Sequence, residues 1–421
     1  MRKLLIDCSF ITTTKLNTGI QRVVRKVIEN IDIVCDNSPY SSHQVILKKG
    51  KIKEISLTQK NRKLISNITP QKGDILLLLD STWHLDNWDS ITMAKNSGTK
   101  IIAVIYDIIP ISHPQFCDAG LVTVFKKWFE RAIYFVDGFI SISHTVQLQL
   151  EEYLNNNFPN KMLEKKFDYF LLGADFDYKE FDIYSNDIRA ELINLYKENK
   201  NIYIIVSTVE PRKNHKYLLD VFDKLWEKEI DVSLVIIGRV GWMVDNLIKR
   251  VQKHPQYNKK LFFWDNLTDN ELQYAYKNSK ALLFPSFIEG FGLPIIESLN
   301  NKLPVMASDI PIHREVGGDN IGYFDIENIN DLISKIELIE KDGIPKELFT
   351  DSYKWIDWHK STEMLFSRVT DMNSQLIIHD FKDIEFDIIS YISSIIINRG
   401  LENTLSDSEY IEIAKIIKSK I

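Results

Sequence analysis

Glu289 and Glu297 stand on either side of a glycine-rich turn in the stretch FPSFIEGFGLPIIESL, residues 284–299. Arg212 and Lys213 stand together in a second stretch, VSTVEPRKNHKYLLDVF, residues 206–222. Two carboxylates at this spacing allow three chemistries. They can be a solvated loop residue and a helix-dipole residue with no further role. They can be an acid/base pair of the kind that cleaves glycosidic bonds. They can also line a site for a nucleotide sugar. Two adjacent cations before a helix form either a solvated basic loop or a clamp for a diphosphate, whose oxygens Arg meets in bidentate fashion.

The elements that must hold these residues follow from local pattern. Ala281 to Phe284 is an apolar run that predicts a buried strand, and Pro285-Ser286 ends it. Gly290 and Gly292 flank Phe291, so the backbone there can adopt dihedrals closed to other residues and approach a ligand. Leu293-Pro294 opens a helix, because a missing N–H costs nothing at its first positions. Ile295, Ile296 and Leu299 give that helix an apolar side, with Glu297 expected in its first turn. Free amides at such a start attract anions. The Arg212-Lys213 stretch likewise reads strand, loop, helix, with Asn214 as the expected N-cap.

Global composition bounds the alternatives. The chain has 421 residues, 44% hydrophobic and 26% charged. That is globular, and long enough for two domains. A net charge of −6 argues against general nucleic-acid binding. Cys8, Cys35 and Cys117 are too scattered for a metal cluster and suit reduced thiols in a cytoplasmic protein. Asp7 interrupts the first apolar patch, which argues against a signal peptide. The longest apolar run, 101–111, is too short and too charged to span a bilayer. Contact with a membrane surface stays compatible with the sequence.

Along the chain, 3–7 predicts a strand and a helix follows from about Ile20. Gly19 lies at that junction, either as a plain turn glycine or as part of a loop facing a phosphate or an acceptor. No role is assigned to residues 40–70. DILLLLD (74–80) predicts a strand of a covered parallel sheet. Trp83, His84 and Trp88 follow it, on the side where open α/β sheets bind ligands. They suit stacking of a sugar acceptor and equally suit packing a loop onto the core. Asp107 and His113 sit at the exit of the next strand. A helix at 119–136, a strand at 138–143, a helix from Ser143 and a strand within 167–177 complete this half. Asp175-Phe176-Asp177 matches a metal-binding D-x-D string but reads as chance. Six further apolar segments between 201 and 326 alternate with helical patterns, which means a second parallel α/β domain. Helices are expected at 186–198 and 351–370, and two more in the tail.

The string E-G-F-G-L-P-x-x-E at 289–297 resembles the donor-site motif of the retaining glycosyltransferases of family 4, which have the GT-B fold. E-P-R-K-N at 210–214 resembles their second motif, and the resemblance spans roughly residues 1–370. It implies two Rossmann-like domains across a cleft: 1–185 on the acceptor side, 186–350 for the donor, a helix at 351–372 crossing back, and a helical tail at 373–421. It implies transfer of a hexose from a nucleotide diphosphate sugar to a hydroxyl of a glycan or lipid-linked glycan, with retention of configuration and no metal or other cofactor. Glu289 would contact the donor sugar and Glu297 the ribose. Arg212 and Lys213 would hold the diphosphate, helped by Gly290, Phe291, Gly292 and Leu293. Gly238 matches a loop near the nucleotide, and Leu267 and Thr268 a segment whose backbone faces the base. The family usually carries His-Asp where this chain has Tyr106-Asp107, so Asp107 or His113 would supply that contact to the reacting sugar. TGIQRV, with Gly19 and Arg22, is similar to the first loop of members that build bacterial O-antigen or capsule chains. Mannose or rhamnose is the expected sugar, and other polysaccharide-assembly enzymes are the expected neighbours. A nucleotide-sugar epimerase or hydrolase, or a binding-only module, are the alternatives.

Overall fold

A computed structural model describes residues 1–14, 19–57, 62–174, 188–348 and 353–375 of the chain. The D-x-D string, the 185/186 boundary and the tail beyond residue 375 lie outside the described residues.

The strands are β1 (Arg2–Asp7), β2 (Tyr40–Lys48), β3 (Lys51–Leu57), β4 (Arg62–Ile68), β5 (Ile75–Leu78), β6 (Lys100–Ile105), β7 (Gly138–Ser141) and β8 (Lys166–Tyr169) in the first sheet. Its order is β4-β3-β2-β1-β5-β6-β7-β8. β1 pairs in parallel with β2 and β5, and the chain then runs outward to β8 in parallel. Residues 40–70, left without a role above, form β2 and an antiparallel extension through β3 to the edge strand β4. Alternating polar pieces hid these strands, because one face of an edge hairpin meets water.

The second sheet holds β9 (Ile202–Val206), β10 (Ser233–Ile237), β11 (Leu261–Trp264), β12 (Ala281–Phe284), β13 (Val305–Ser308) and β14 (Gly322–Phe324). Its order is β11-β10-β9-β12-β13-β14, with every pairing parallel. Each of its strands falls inside one of the six apolar segments.

The helices in chain order are α1 (Gly19–Cys35), α2 (Trp88–Asn96), α3 (Ile109–Ser112), α4 (Ala119–Phe135), α5 (His144–Asn157), α6 (Pro159–Glu164), α7 (Ala190–Glu198), α8 (His215–Glu227), α9 (Asp245–Gln252), α10 (Asp269–Asn278), α11 (Leu293–Asn300), α12 (Pro311–Gly317), α13 (Ile329–Asp342) and α14 (Trp358–Gln375). They cover both faces of the second sheet and of the central parallel strands of the first, which is why those strands read as continuous apolar runs.

Topology decides where a ligand can sit. In each sheet the strand order reverses once beside the first strand: between β1 and β5, and between β9 and β12. Crossovers leave on opposite faces there, so a crevice opens at the strand C-termini. Asp7 and Asp80 lie at the first crevice. Arg212 and Lys213, following β9, meet Glu289, following β12, at the second.

One apolar cluster runs through both domains, from Leu4 and Val24 to Val235, Phe284 and Ile295. α14 completes it. Trp358, Leu365, Val369 and Met372 are buried, and the helix packs on α1, β7 and β8 of the first domain. Burying each such side chain contributes roughly 1.5–3 kcal/mol. Ser361 Oγ and the Trp355 indole N–H donate to the carbonyls of Leu171 and Leu172, at 2.6 and 2.7 Å.

Candidate active site

The turn after β12 is built as its glycines require. Gly292 has φ +104°, in the left-handed region, and α11 begins at the next residue with Pro294 in its first turn. Gly290 is needed for a different reason. A β-carbon there would stand 2.2 Å from the Tyr106 carbonyl oxygen and 3.3 Å from the Asp107 β-carbon. This loop therefore lies directly on the first domain where β6 ends.

Glu289, only 5% exposed, is the hub of this loop. Its Oε1 accepts from Lys213 Nζ at 2.5 Å and from Ser286 Oγ at 2.7 Å. Its Oε2 accepts from Arg212 Nη1 at 2.5 Å. Burial alone would push this carboxyl up, but Arg212 and Lys213 outweigh burial and hold it at about 2. Arg212 also pairs through Nη2 with Glu210 Oε1 at 2.8 Å, and the other Glu210 oxygen is buried without a hydrogen-bond partner. Burial pushes the Glu210 and Asp107 carboxyls above the ordinary range, against the pull of Arg212. Burial and the neighbouring Arg212 push the Lys213 ammonium down. Three carboxylates thus surround two cations, and the cations bind Glu289 rather than leaving it free to face a sugar.

Two local expectations are corrected. Asn214 occupies the N-cap position of α8, but its backbone is left-handed (φ 54°) and its side chain caps nothing. The preceding turn, Pro211–Lys213, is a 3-10 turn that leaves the chain in this conformation. Glu297 is not in the first turn of α11. The helix begins at Leu293, which places Glu297 one turn further along, facing the first domain.

There Glu297 Oε1 accepts from Arg22 of α1, and Oε2 accepts from the Tyr276 hydroxyl at 2.9 Å. Other contacts join the domains nearby. Ser143 Oγ donates to the Gly290 carbonyl at 2.9 Å while accepting from Val146 N, so the cap of α5 also holds the loop after β12. The Glu315 carboxylate accepts from His144 N and Thr145 N at 2.8 and 2.7 Å, complementing the positive end of α5. The sequence places a helix start at Ser143 but not its capping role, and nothing in it pointed to Glu315 or Tyr276. Both act across long sequence separations.

Residues 189–353 match the family model described as glycosyl transferases group 1. That segment is similar to the group 1 glycosyltransferases. It is 31% identical over 389 residues to the serotype-specific mannosyltransferase WbdA of Escherichia coli, covering 87% of this chain and 46% of WbdA. It is 28% identical over 160 residues to the O-antigen chain mannosyltransferase RfbU of Salmonella typhimurium, covering 38% of this chain and 44% of RfbU. The chain thus spans about half the length of these curated relatives. Among solved structures, HepE of Anabaena in complex with UDP and glucose aligns with a TM-score of 0.56 at 14% identity, covering 89% of this chain and 98% of HepE. Sucrose-phosphate synthase of Thermosynechococcus elongatus aligns at 0.55 and 12%, covering 96% and 100%. Those identities speak for the fold alone, and the fold is GT-B.

Within the second domain the remaining expected residues have plain positions. Gly238 has φ +146°, and a β-carbon there would stand 1.9 Å from the Ser207 carbonyl oxygen, so it lets the exits of β9 and β10 meet. Thr268 caps α10 in a capping box with Glu271. Arg189 grips Glu271 and the Asn266 carbonyl, and stacks on Trp264, which fixes the turn around the half-buried Leu267. Burial pushes the Glu271 carboxyl up, yet Arg189 and the Thr268 amide bring it to about 2.

In the first domain, Gly19 starts α1, and Leu293 lies 3.9 Å from where its β-carbon would stand. Trp83 is half-buried and packs edge-on against Phe125 at 5.1 Å, the core-packing alternative. His113 bonds Ser112 Oγ at 2.9 Å and stacks on Phe116. Sequence reasoning missed Asp7 and Asp80, which pack together at the β1/β5 crevice. Asp7 Oδ1 accepts from Ser9 and Asp80 accepts from Ile11 N, which folds the loop after β1 inward. Among the described residues no helix is long and apolar enough to cross a membrane.

Proposed function

We propose that this chain transfers a hexose, mannose by first choice, from a nucleotide diphosphate sugar to a hydroxyl of a glycan or lipid-linked glycan, retaining the anomeric configuration. The observation that carries this is the junction at the second switch point. Arg212 and Lys213 of one domain converge on Glu289, and Asp107 of the other domain lies against the same loop. A donor diphosphate carries more charge than one carboxylate and competes for both cations. Its arrival frees Glu289 to face the sugar, where positive charge develops as the bond to phosphate breaks. Asp107, with its raised carboxyl, approaches the reacting carbon from the acceptor side. The protein then contributes charge stabilisation and positioning, and the leaving phosphate takes the acceptor proton.

The names of the relatives support mannose and an O-antigen-type acceptor. Other polysaccharide-assembly enzymes and a peripheral place on the inner membrane face belong to the same proposal. A thermal-shift panel of nucleotide sugars tests the donor, since bound ligand raises apparent stability. Incubating GDP-mannose with a mannoside acceptor then tests the reaction, with anomeric configuration read by NMR. Release of free sugar regardless of acceptor, or isomerisation of the donor sugar, overturns the proposal.

A further inference from the structure

The segment between β6 and α4 leaves the first sheet at Ile105, carries Asp107, and turns through α3 and a 3-10 turn, Pro114–Phe116. It lies on the second domain at three kinds of contact. The Phe116 and Phe287 rings stack, with centroids 5.3 Å apart and planes 12° from parallel. Ile109 and Cys117 pack with Ile288 in a small apolar cluster separate from the main cores. The Trp242 indole N–H donates to the Phe116 carbonyl at 2.9 Å. Phe287 and Ile288 immediately precede Glu289, and the Phe287 amide donates to the Arg212 carbonyl at 2.8 Å. None of these contacts bonds a reacting group. All of them fix where the two halves of the site stand.

We propose that Phe116 is a positioning residue: its ring latches the Asp107 segment of the first domain onto the Phe287–Glu289 strip of the second, and its carbonyl ties it to Trp242. The latch sets the distance between Asp107 and Glu289 while leaving the cations alone. It rests on the function proposed above for the claim that this distance matters to turnover. The latch itself does not.

Cys117 supplies a readout independent of activity. It is 7% exposed and belongs to the cluster the latch closes, so alkylation reports undocking. The experiment alkylates the whole protein with N-ethylmaleimide under native conditions and maps each cysteine by mass spectrometry. Phe116→Ala is expected to label Cys117 roughly tenfold faster, leaving Cys8 and Cys35 unchanged. Phe116→Tyr keeps the ring and is expected to restore slow labelling. Trp242→Phe removes the indole N–H while keeping an aromatic ring, and is expected to speed labelling by a smaller factor, which guards against misfolding of the alanine variant. In turnover, Phe116→Ala is expected to lower kcat with little change in donor KM. Unchanged Cys117 labelling in both Phe116→Ala and Trp242→Phe overturns the latch. Faster labelling with unchanged kcat overturns the positioning role. If no nucleotide sugar binds the wild-type protein, the proposed function falls, and Cys117 labelling still decides the latch.

Discussion

Arg22 and Glu297, 275 residues apart, form an ion pair that joins the first helix of one domain to the α11 helix of the other. Glu297 is also held by Tyr276 from within its own domain. Each carboxylate oxygen has lone pairs for a further bond, so a ribose hydroxyl can add to this arrangement. Glu289 differs, because its partners are the cations a diphosphate would claim.

The two glutamates are therefore expected to fail differently. Glu297→Ala removes bonds that serve ground and transition states alike, so donor KM should rise while kcat largely holds. Hydrogen bonds to a charged group contribute about 1.5–3 kcal/mol, which means roughly a 10- to 150-fold weaker donor interaction. Glu289→Ala should lower kcat more than it raises KM. Steady-state kinetics, with circular dichroism to confirm folding, separate the two. A collapsed kcat in Glu297→Ala would reverse the assignment.

Gly290→Ala should leave each domain folded and part them at the site. Its new β-carbon would meet the Tyr106 carbonyl at 2.2 Å, and backbone cannot yield as a flexible side chain does. Misplacement by about 1 Å costs on the order of 100-fold in rate. Activity measured beside the melting temperature checks this, and wild-type turnover in the variant would refute it.

The two buried carboxyls Glu289 and Asp7 should give opposite pH signatures. Glu289 is depressed from 4.5 to about 2, so its stabilisation is complete above the ordinary carboxylate range and is lost as pH falls through about 2. Glu289→Gln should flatten that acid limb. Asp7 is raised from 3.8 to about 7 by burial and by Asp80. The folded state then holds a proton the unfolded state has released, so stability falls as pH rises between those values. Asp7→Asn should raise the melting temperature at pH 8 and by a smaller amount at pH 5, part-way through that window. Equal effects at both pH values would contradict the assignment.

Turnover is expected to persist in EDTA, because Arg212 and Lys213 supply the charge opposite a diphosphate. Arg212→Lys keeps the charge but loses the planar fork, and should weaken nucleotide binding by roughly 1.5–3 kcal/mol. Calorimetry on the variant and EDTA-treated assays of the wild type test the pair of statements. Complete loss in EDTA with recovery on adding Mg²⁺ would refute the first.

The sequence by itself determined the local parts. The apolar runs of the second half predicted its strands, because both faces of a parallel sheet are covered and each strand must be apolar throughout. Gly292 and Pro294 marked the start of α11, and E-P-R-K and E-G-F-G marked the two loops, because backbone dihedrals constrain residue type at neighbouring positions. Only the tertiary structure decided what meets what. β2 to β4 were hidden because half-exposed strands dilute the apolar signal. That Glu289 spends both oxygens on Lys213 and Arg212, that Arg22 reaches Glu297, and that Gly290 rests on Tyr106 are long-range facts. They depend on how two sheets and α14 pack. Periodicity and propensity act over a few residues, whereas a cleft between two domains is made by residues far apart in the chain.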